Sequence, residues 1–237
     1  MSWAAGKTVL VTGGSQGIGR STAIAFRDLG ATVHVSGTRG SASDYDEPLD
    51  GLTYHRADMA KREDREALSG TLGALDVLVN NAGMGRADEY TMEGFEAVVD
   101  VNLNAVMDLS VRLHPALRAA HGAIVNVGSL SSFLALKEAP AYTASKAGLL
   151  GLTRALADKW APDGVRVNLV APGFIATRMT ENARKDAGYE ARLLKAIPMR
   201  RWGDPSEIAD AIVFLASPAA SYITGQSLAI DGGLMLR

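Results

Sequence analysis

Ser129, Tyr142 and Lys146 stand in the order Ser-x12-Tyr-x3-Lys, downstream of a glycine-rich segment, Thr12-Gly13-x-x-x-Gly17-x-Gly19. Residues four apart share one face of a helix, so the phenol of Tyr142 and the ammonium of Lys146 can be aimed at one spot. Together with a glycine turn, such a pair suits hydride transfer. Reducing a ketone requires hydride at carbon and a proton at oxygen, and the reverse removes both from a secondary alcohol; Tyr142 is the candidate acid and base. A free tyrosine titrates near pH ~10, too high for an efficient base at neutral pH. An ammonium about 4 Å away, at an effective dielectric of about 20, is worth roughly 4 kcal/mol, or about three pKa units before its own desolvation is counted. Lys146 is therefore expected to lower the Tyr142 phenol and to account for most of its tuning. Ser131 and Ser132 compete with Ser129 as the hydroxyl partner.

In Thr12-Gly13-Gly14-Ser15-Gln16-Gly17-Ile18-Gly19 the glycines have separate duties: tight turning, close approach of backbone to a pyrophosphate, and close packing of helix on strand. Gly13, Ser15, Gln16, Gly17, Ile18 and Gly19 are the expected phosphate-side contacts of a dinucleotide, with helix-end N–H groups facing the phosphates. An acidic residue ending the second strand would hold a free ribose 2′-hydroxyl. This chain instead has Ser36-Gly37-Thr38-Arg39. Thr38 and Arg39 offer a hydroxyl and a guanidinium suited to a 2′-phosphate, which favours NADP over NAD. NAD stays open, because Gln16 is not basic.

The elements that must position these residues are legible as valine-rich runs. Lys7 to Thr12, Thr32 to Ser36, Leu52 to Ala57, Leu75 to Asn80, Ala123 to Gly128, Val165 to Val170 and Ser227 to Ile230 read as strands. Their nearly continuous apolar character predicts parallel strands covered on both faces. Ile18, Ala25, Phe26 and Leu29 share a helical face after the first strand, and Gly30 stands where a C-terminal cap belongs. The stretch from Gly40 to Gly51 reads as one surface loop. The expected architecture is α/β: a Rossmann-type doubly wound parallel sheet in three layers, binding ligands at the carboxyl ends of its strands.

With 237 residues, 47% of them apolar, and a net charge of -2, residues 1–237 can share one large core, and a single dinucleotide-binding and catalytic domain is expected. The near-neutral balance argues against nucleic acid or an anionic membrane as main partner. The absence of cysteine excludes disulfides, thiolate metal sites and cysteine nucleophiles. His34, His55, His114 and His121 lack ligand spacing, and no metal is expected. The N-terminal residues show no signal-peptide pattern and no segment is long enough to span a bilayer, so a cytoplasmic location is expected.

With the glycine turn, Asn80-Asn81-Ala82-Gly83, Ser129, Tyr142, Lys146 and Pro172-Gly173 in this order, the chain resembles the short-chain dehydrogenase/reductase family nearly end to end. The resemblance selects Ser129 among the serines and implies that it hydrogen-bonds the substrate oxygen, while Tyr142 and Lys146 act in catalysis and also contact the nicotinamide ribose. It implies that Asp58 and Met59 lie at the adenine, with Asn81, Ala82 and Gly83 lining the cofactor cleft. Asn102 resembles the helix asparagine that supports a water-linked proton path to the lysine. Pro172, Gly173, Ile175 and Thr177 resemble the segment that folds over the nicotinamide.

The substrate is expected to be a small ketone or secondary alcohol. Arg178 to Trp202 lies where the family keeps a variable substrate lid, in which Met179, Tyr189, Leu193, Leu194 and Trp202 could line an apolar pocket. The chain also resembles 3-oxoacyl-carrier-protein reductases in Ala171-Pro172-Gly173-Phe174-Ile175 and Tyr222-Ile223-Thr224-Gly225-Gln226. At two positions taken to be cleft rim, where that subgroup tends to have arginine, stand Ala120 and Asp163, although Arg118, Arg200 and Arg201 could compensate. A non-catalytic dinucleotide-binding module is the remaining alternative. Ala144, Ala147, Gly148 and Gly151 permit close helix approach, and the family commonly pairs this helix between subunits. A homo-oligomer, specifically a tetramer, is expected.

Overall fold

Every one of the seven runs expected to be strands forms one in the computed structural model, which describes residues 2–236; two of them, Leu52 to Ala57 and Ser227 to Ile230, contain no valine and lie at the sheet edges. The strands are β1 (Thr8–Val11), β2 (Thr32–Gly37), β3 (Thr53–Arg56), β4 (Val77–Asn80), β5 (Ala123–Val127), β6 (Arg166–Pro172) and β7 (Ser227–Ile230). All neighbours pair in parallel, in the order β3-β2-β1-β4-β5-β6-β7. The order reverses between β1 and β4, which opens a crevice at the carboxyl ends of those two strands.

Side chains alternate across the sheet, and both faces are covered over the central strands β1, β2, β4, β5 and β6, while the edge strands β3 and β7 stay partly exposed. Val9, Val11, Val77 and Val79 point to one layer, where they meet Phe26 of α1 (Gly17–Asp28) and Ile208 and Ile212 of α8 (Pro205–Ala216). Leu10, Leu78 and Ile124 point to the other, against Leu68 of α2 (Arg62–Gly70), Leu109, Leu113 and Leu117 of α4 (Ala105–Ala120), and Leu156 of α5 (Pro140–Trp160). Burying each large side chain contributes roughly 1.5–3 kcal/mol, and strands with two covered faces therefore need the unbroken apolar runs seen in the sequence.

α1 ends at Leu29, and Gly30 takes the left-handed position just beyond it, at φ 86°. The loop from Gly40 to Gly51 contains one tight helical turn, Ala42–Asp44, closed by reciprocal bonds between Ser41 and Asp44. Between α3 (Met92–Val99) and α4 the backbone widens into a π-helical segment, Asp100–Asn104. That bulge turns Asn102 fully inward. The segment expected to be a lid folds as α6 (Glu181–Lys185) and α7 (Ala187–Ala196). Among the described residues no helix is long and apolar enough to cross a membrane.

Candidate active site

At the carboxyl end of β1 the chain turns through Gly13, whose N–H donates to Ser36 Oγ at 3.2 Å. Asn81 Nδ2 donates to the Thr12 and Gly13 carbonyls, both at 3.0 Å, so the turn is bolted to the end of β4. A Cβ at Gly19 would run into the Gly13 carbonyl and the Asn81 amide, which gives that glycine the packing duty expected of it. Gly13, Ser15, Gln16, Gly17 and Ile18 line one wall of a cleft of about 550 Å3, and Gly19 lies behind them. Gln16 precedes α1 without a side-chain capping bond, and no acidic residue occupies the first turn. The leading N–H groups of that helix are thus left for an anion, which is what a pyrophosphate requires.

The same cleft reaches Thr38 and Arg39 beyond β2, and Asp58 and Met59 beyond β3. Sequence reasoning missed Tyr45, which arrives from the surface loop with no periodicity to mark it. Its hydroxyl lies against Gly37 and accepts from the Arg39 N–H at 3.2 Å, while the Arg39 guanidinium sits 4.8 Å over its ring. Burial pushes the Tyr45 hydroxyl up, but hydrogen bonds with Ser15, Tyr54, Arg39 and Thr38 outweigh it and leave the group below the ordinary tyrosine value. Tyr54 donates to the Arg39 carbonyl at 2.6 Å. The turn carrying Arg39 is therefore held by two tyrosines. Asp58 accepts from the Ala60 N–H at 3.0 Å, so it also braces its own turn.

At the inner end, Asn81, Ala82, Gly83, Ser129, Tyr142, Lys146, Pro172, Gly173, Ile175 and Thr177 converge on the same space. Ser129 begins a short helical turn, and its Oγ accepts the Ser131 N–H at 3.2 Å. Lys146 is 4% exposed and donates to the Val127 carbonyl at 2.8 Å. Burial pulls its ammonium down to about 8.

The expectation that Lys146 lowers Tyr142 is not met by this geometry. The ammonium lies 5.6 Å from the centre of the Tyr142 ring and is spent on a backbone carbonyl. Withdrawal of the phenol from water pushes Tyr142 above its ordinary value; a hydrogen bond with Ser129 opposes this, and the Glu89 charge adds to it. Desolvation of the phenol outweighs the hydrogen bond with Ser129.

Asn102 does not reach the cleft wall. Its Oδ1 accepts the Met84 N–H at 2.9 Å, and its Nδ2 donates to the Met84 carbonyl at 2.9 Å and to Ser145 Oγ at 3.1 Å. It holds the backbone beyond Gly83, with Lys146 close by.

Of the five lid side chains only Met179 lines the cleft, joined there by Arg178 and Thr180. Leu193 is buried, while Trp202 packs edge-on against Phe174 and donates to Glu190 at 2.8 Å. The supposed rim positions near Ala120 and Asp163 are on the wrong side. α4 runs antiparallel to the sheet and delivers the chain to the amino end of β5, opposite the cleft. There Arg118 and His114 both pair with Asp163. The structure also stacks His34 on His55, with ring nitrogens 2.9 Å apart, a meeting across β2 and β3 that histidine spacing did not reveal.

A family model described as enoyl-(acyl carrier protein) reductase matches residues 13–235. The chain is 38% identical to 2-dehydro-3-deoxy-D-gluconate 5-dehydrogenase of Bacillus subtilis, over 98% of this chain and 96% of that protein. It is 39% identical to the 3-oxoacyl-[acyl-carrier-protein] reductase FabG of Vibrio harveyi, over 98% of both. Among solved structures, the RhlG/NADP active-site complex of Pseudomonas aeruginosa superposes with a TM-score of 0.89 at 33% identity, covering 99% of each chain. The chain belongs to the short-chain dehydrogenase/reductase family, and it is an oxidoreductase acting on CH–OH groups.

Proposed function

We propose that this protein interconverts a small ketone and a secondary alcohol with NADP(H), using Ser129, Tyr142 and Lys146. The observation that carries the reading is the convergence of these three residues at one end of a cleft whose other end is the glycine turn with Thr38 and Arg39. Arg39, steadied by Tyr45, fits a 2′-phosphate, and no carboxylate stands at the end of β2 to repel one. The nicotinamide, when bound, supplies or accepts the hydride. Ser129 Oγ hydrogen-bonds the substrate oxygen and stabilises charge developing there. Tyr142 Oη, protonated at neutral pH, donates its proton to that oxygen in reduction and takes it back in oxidation. Lys146 Nζ remains largely charged below about 8 and binds on the ribose side of the cleft. Asn102 supports the Met84 backbone instead of touching the substrate.

Residues 178–202 are the substrate lid in this reading, with Met179 the apolar contact and Arg178 a cation at the mouth. The likeness to a sugar-acid dehydrogenase brings keto sugar acids into the candidate panel. The second reading, reduction of carrier-linked 3-oxoacyl groups, is favoured by the likeness to FabG. Against it, Arg201 is paired with Glu207 and Arg118 with Asp163. A homotetramer in the cytoplasm completes the proposal.

Titrating NADPH and NADH by fluorescence, then following nicotinamide absorbance over free ketones, keto sugar acids and carrier-linked substrates, tests this reading. Tight NADPH binding with turnover of free ketones supports it. Preference for NADH removes the role given to Arg39, and turnover of carrier-linked substrates alone selects the second reading.

A further inference from the structure

The segment 84–91, between β4 and α3, buries a carboxylate that the chemistry above does not use. Glu89 is 2% exposed. Its Oε2 accepts the N–H of Tyr142 at 2.9 Å and its Oε1 accepts the N–H of Arg86 at 3.0 Å. The Arg86 side chain does not neutralise it, because that guanidinium turns outward and forks onto Asp88 at 2.8 Å. The helix that carries Tyr142 and Lys146 opens at Pro140 after Ala139, which has no capping side chain. Its first-turn donor at Tyr142 is met by a carboxylate from 53 residues earlier in the chain.

We propose that Glu89 is a positioning residue for the acid–base tyrosine: it fixes the Tyr142 backbone as a cap supplied from another segment and sets a buried carboxylate beside the phenol. This rests on Tyr142 being the acid–base group.

The segment around Glu89 is pinned on both sides. Asn102 holds Met84, and the Tyr90 hydroxyl donates to the Lys137 carbonyl at 2.6 Å. The carboxylate and the ring are near neighbours, since a Cβ at Gly85 would lie 3.3 Å from Glu89 Oε1 and 3.9 Å from Tyr142 Cδ2. The remaining groups around the pair are accounted for. Lys146 is committed to the Val127 carbonyl and Ser129 faces the phenol. Glu93, Glu96 and Asp100 of the packed α3 and π segments are exposed, as are Lys137 and Glu138. Glu89 is thus the buried negative charge beside Tyr142, and it adds to burial in holding the phenol up. It favours the protonated acid that ketone reduction needs.

The test compares wild type, Glu89→Gln and Glu89→Asp, with Tyr142→Phe as blank. Tyrosinate absorbance after a stopped-flow pH jump reads the Tyr142 midpoint before alkaline unfolding, and it needs no substrate. Steady-state pH profiles of alcohol oxidation are taken alongside. Glu89→Gln is expected to lower the Tyr142 midpoint and to move the oxidation profile the same way. An unmoved midpoint in folded Glu89→Gln overturns the proposal. Should Glu89→Gln not fold, Glu89→Asp decides: it keeps the charge but withdraws it from the Tyr142 N–H, so kcat is expected to fall about 10- to 100-fold with cofactor KM unchanged. An unchanged kcat in that variant overturns the proposal. A shifted midpoint in a protein that turns over nothing would sink the proposed function and leave the Glu89–Tyr142 coupling standing.

Discussion

In the proposed function Tyr142 is the residue on which the chemistry turns. Tyr142→Phe is expected to lower kcat at least 10²- to 10⁴-fold, the usual contribution of a positioned acid or base, while NADPH titration gives an affinity close to wild type. Turnover near the wild-type rate would remove Tyr142 from the mechanism. The directions at Tyr142 and Lys146 also predict a pH dependence. Because Tyr142 is raised, its proton-donating form persists through neutral pH; because Lys146 is lowered to about 8, its ammonium is present below that value and lost above it. Ketone reduction is therefore expected to be level below pH ~8 and to decline above it, read as kcat against pH. At the other end of the cleft, Arg39→Ala removes a charge-assisted contact worth roughly 1.5–3 kcal/mol. NADPH affinity is expected to fall about 10- to 100-fold, with NADH affinity unchanged; equal losses for both cofactors would show that Arg39 does not read the 2′-phosphate.

At the scale of the element, the glycine turn and α1 act as one unit. Gly19 faces the Gly13 carbonyl and the Asn81 amide, and neither can retreat, since each is fixed by the turn and by β4. Gly19→Ala is thus expected to cost roughly 1–3 kcal/mol of stability by overpacking and to weaken cofactor binding sharply. Urea denaturation and NADPH titration on the same sample check both, and a variant with wild-type affinity would show that the helix can shift without harming the phosphate side. α5 shows the opposite economy, with no cap of its own and its leading turn held by Glu89 from a distant loop.

For the whole molecule, α5 presents Ala144, Ala147 and Gly151 to solvent, and α4 exposes Met107 and Val111. Gly148, by contrast, packs on Leu103 of the same chain. The exposed small residues allow close approach of a second copy, and a Cβ at Gly151 would meet nothing within 4 Å in this chain. Gly151→Leu should leave the protomer fold intact and reduce the mass seen by light scattering at micromolar concentration. A wild-type monomer under those conditions contradicts the oligomer, and an unchanged mass in Gly151→Leu moves the interface elsewhere.

The seven strands, the glycine turn, the capping Gly30 and the convergence of Ser129, Tyr142 and Lys146 on one cleft were legible along the chain, because apolar strand runs, positive φ and i,i+4 spacing are local constraints that leave a mark in residue type. The residues lining the far end of the cleft were legible for the same reason, since turns between strand and helix recur at fixed offsets. Long-range proximity leaves no such mark. Tyr45 under Arg39, Glu89 at the Tyr142 N–H, Asn102 on Met84 and the placement of Arg118 opposite the cleft all depend on how separate segments are brought together. The acidity of Tyr142 belongs to the same group. Spacing put an ammonium near a phenol, but the distance between them, the carbonyl that claims the ammonium and the water excluded around the phenol were decided only by the packed tertiary structure, where desolvation and neighbouring charge set the balance.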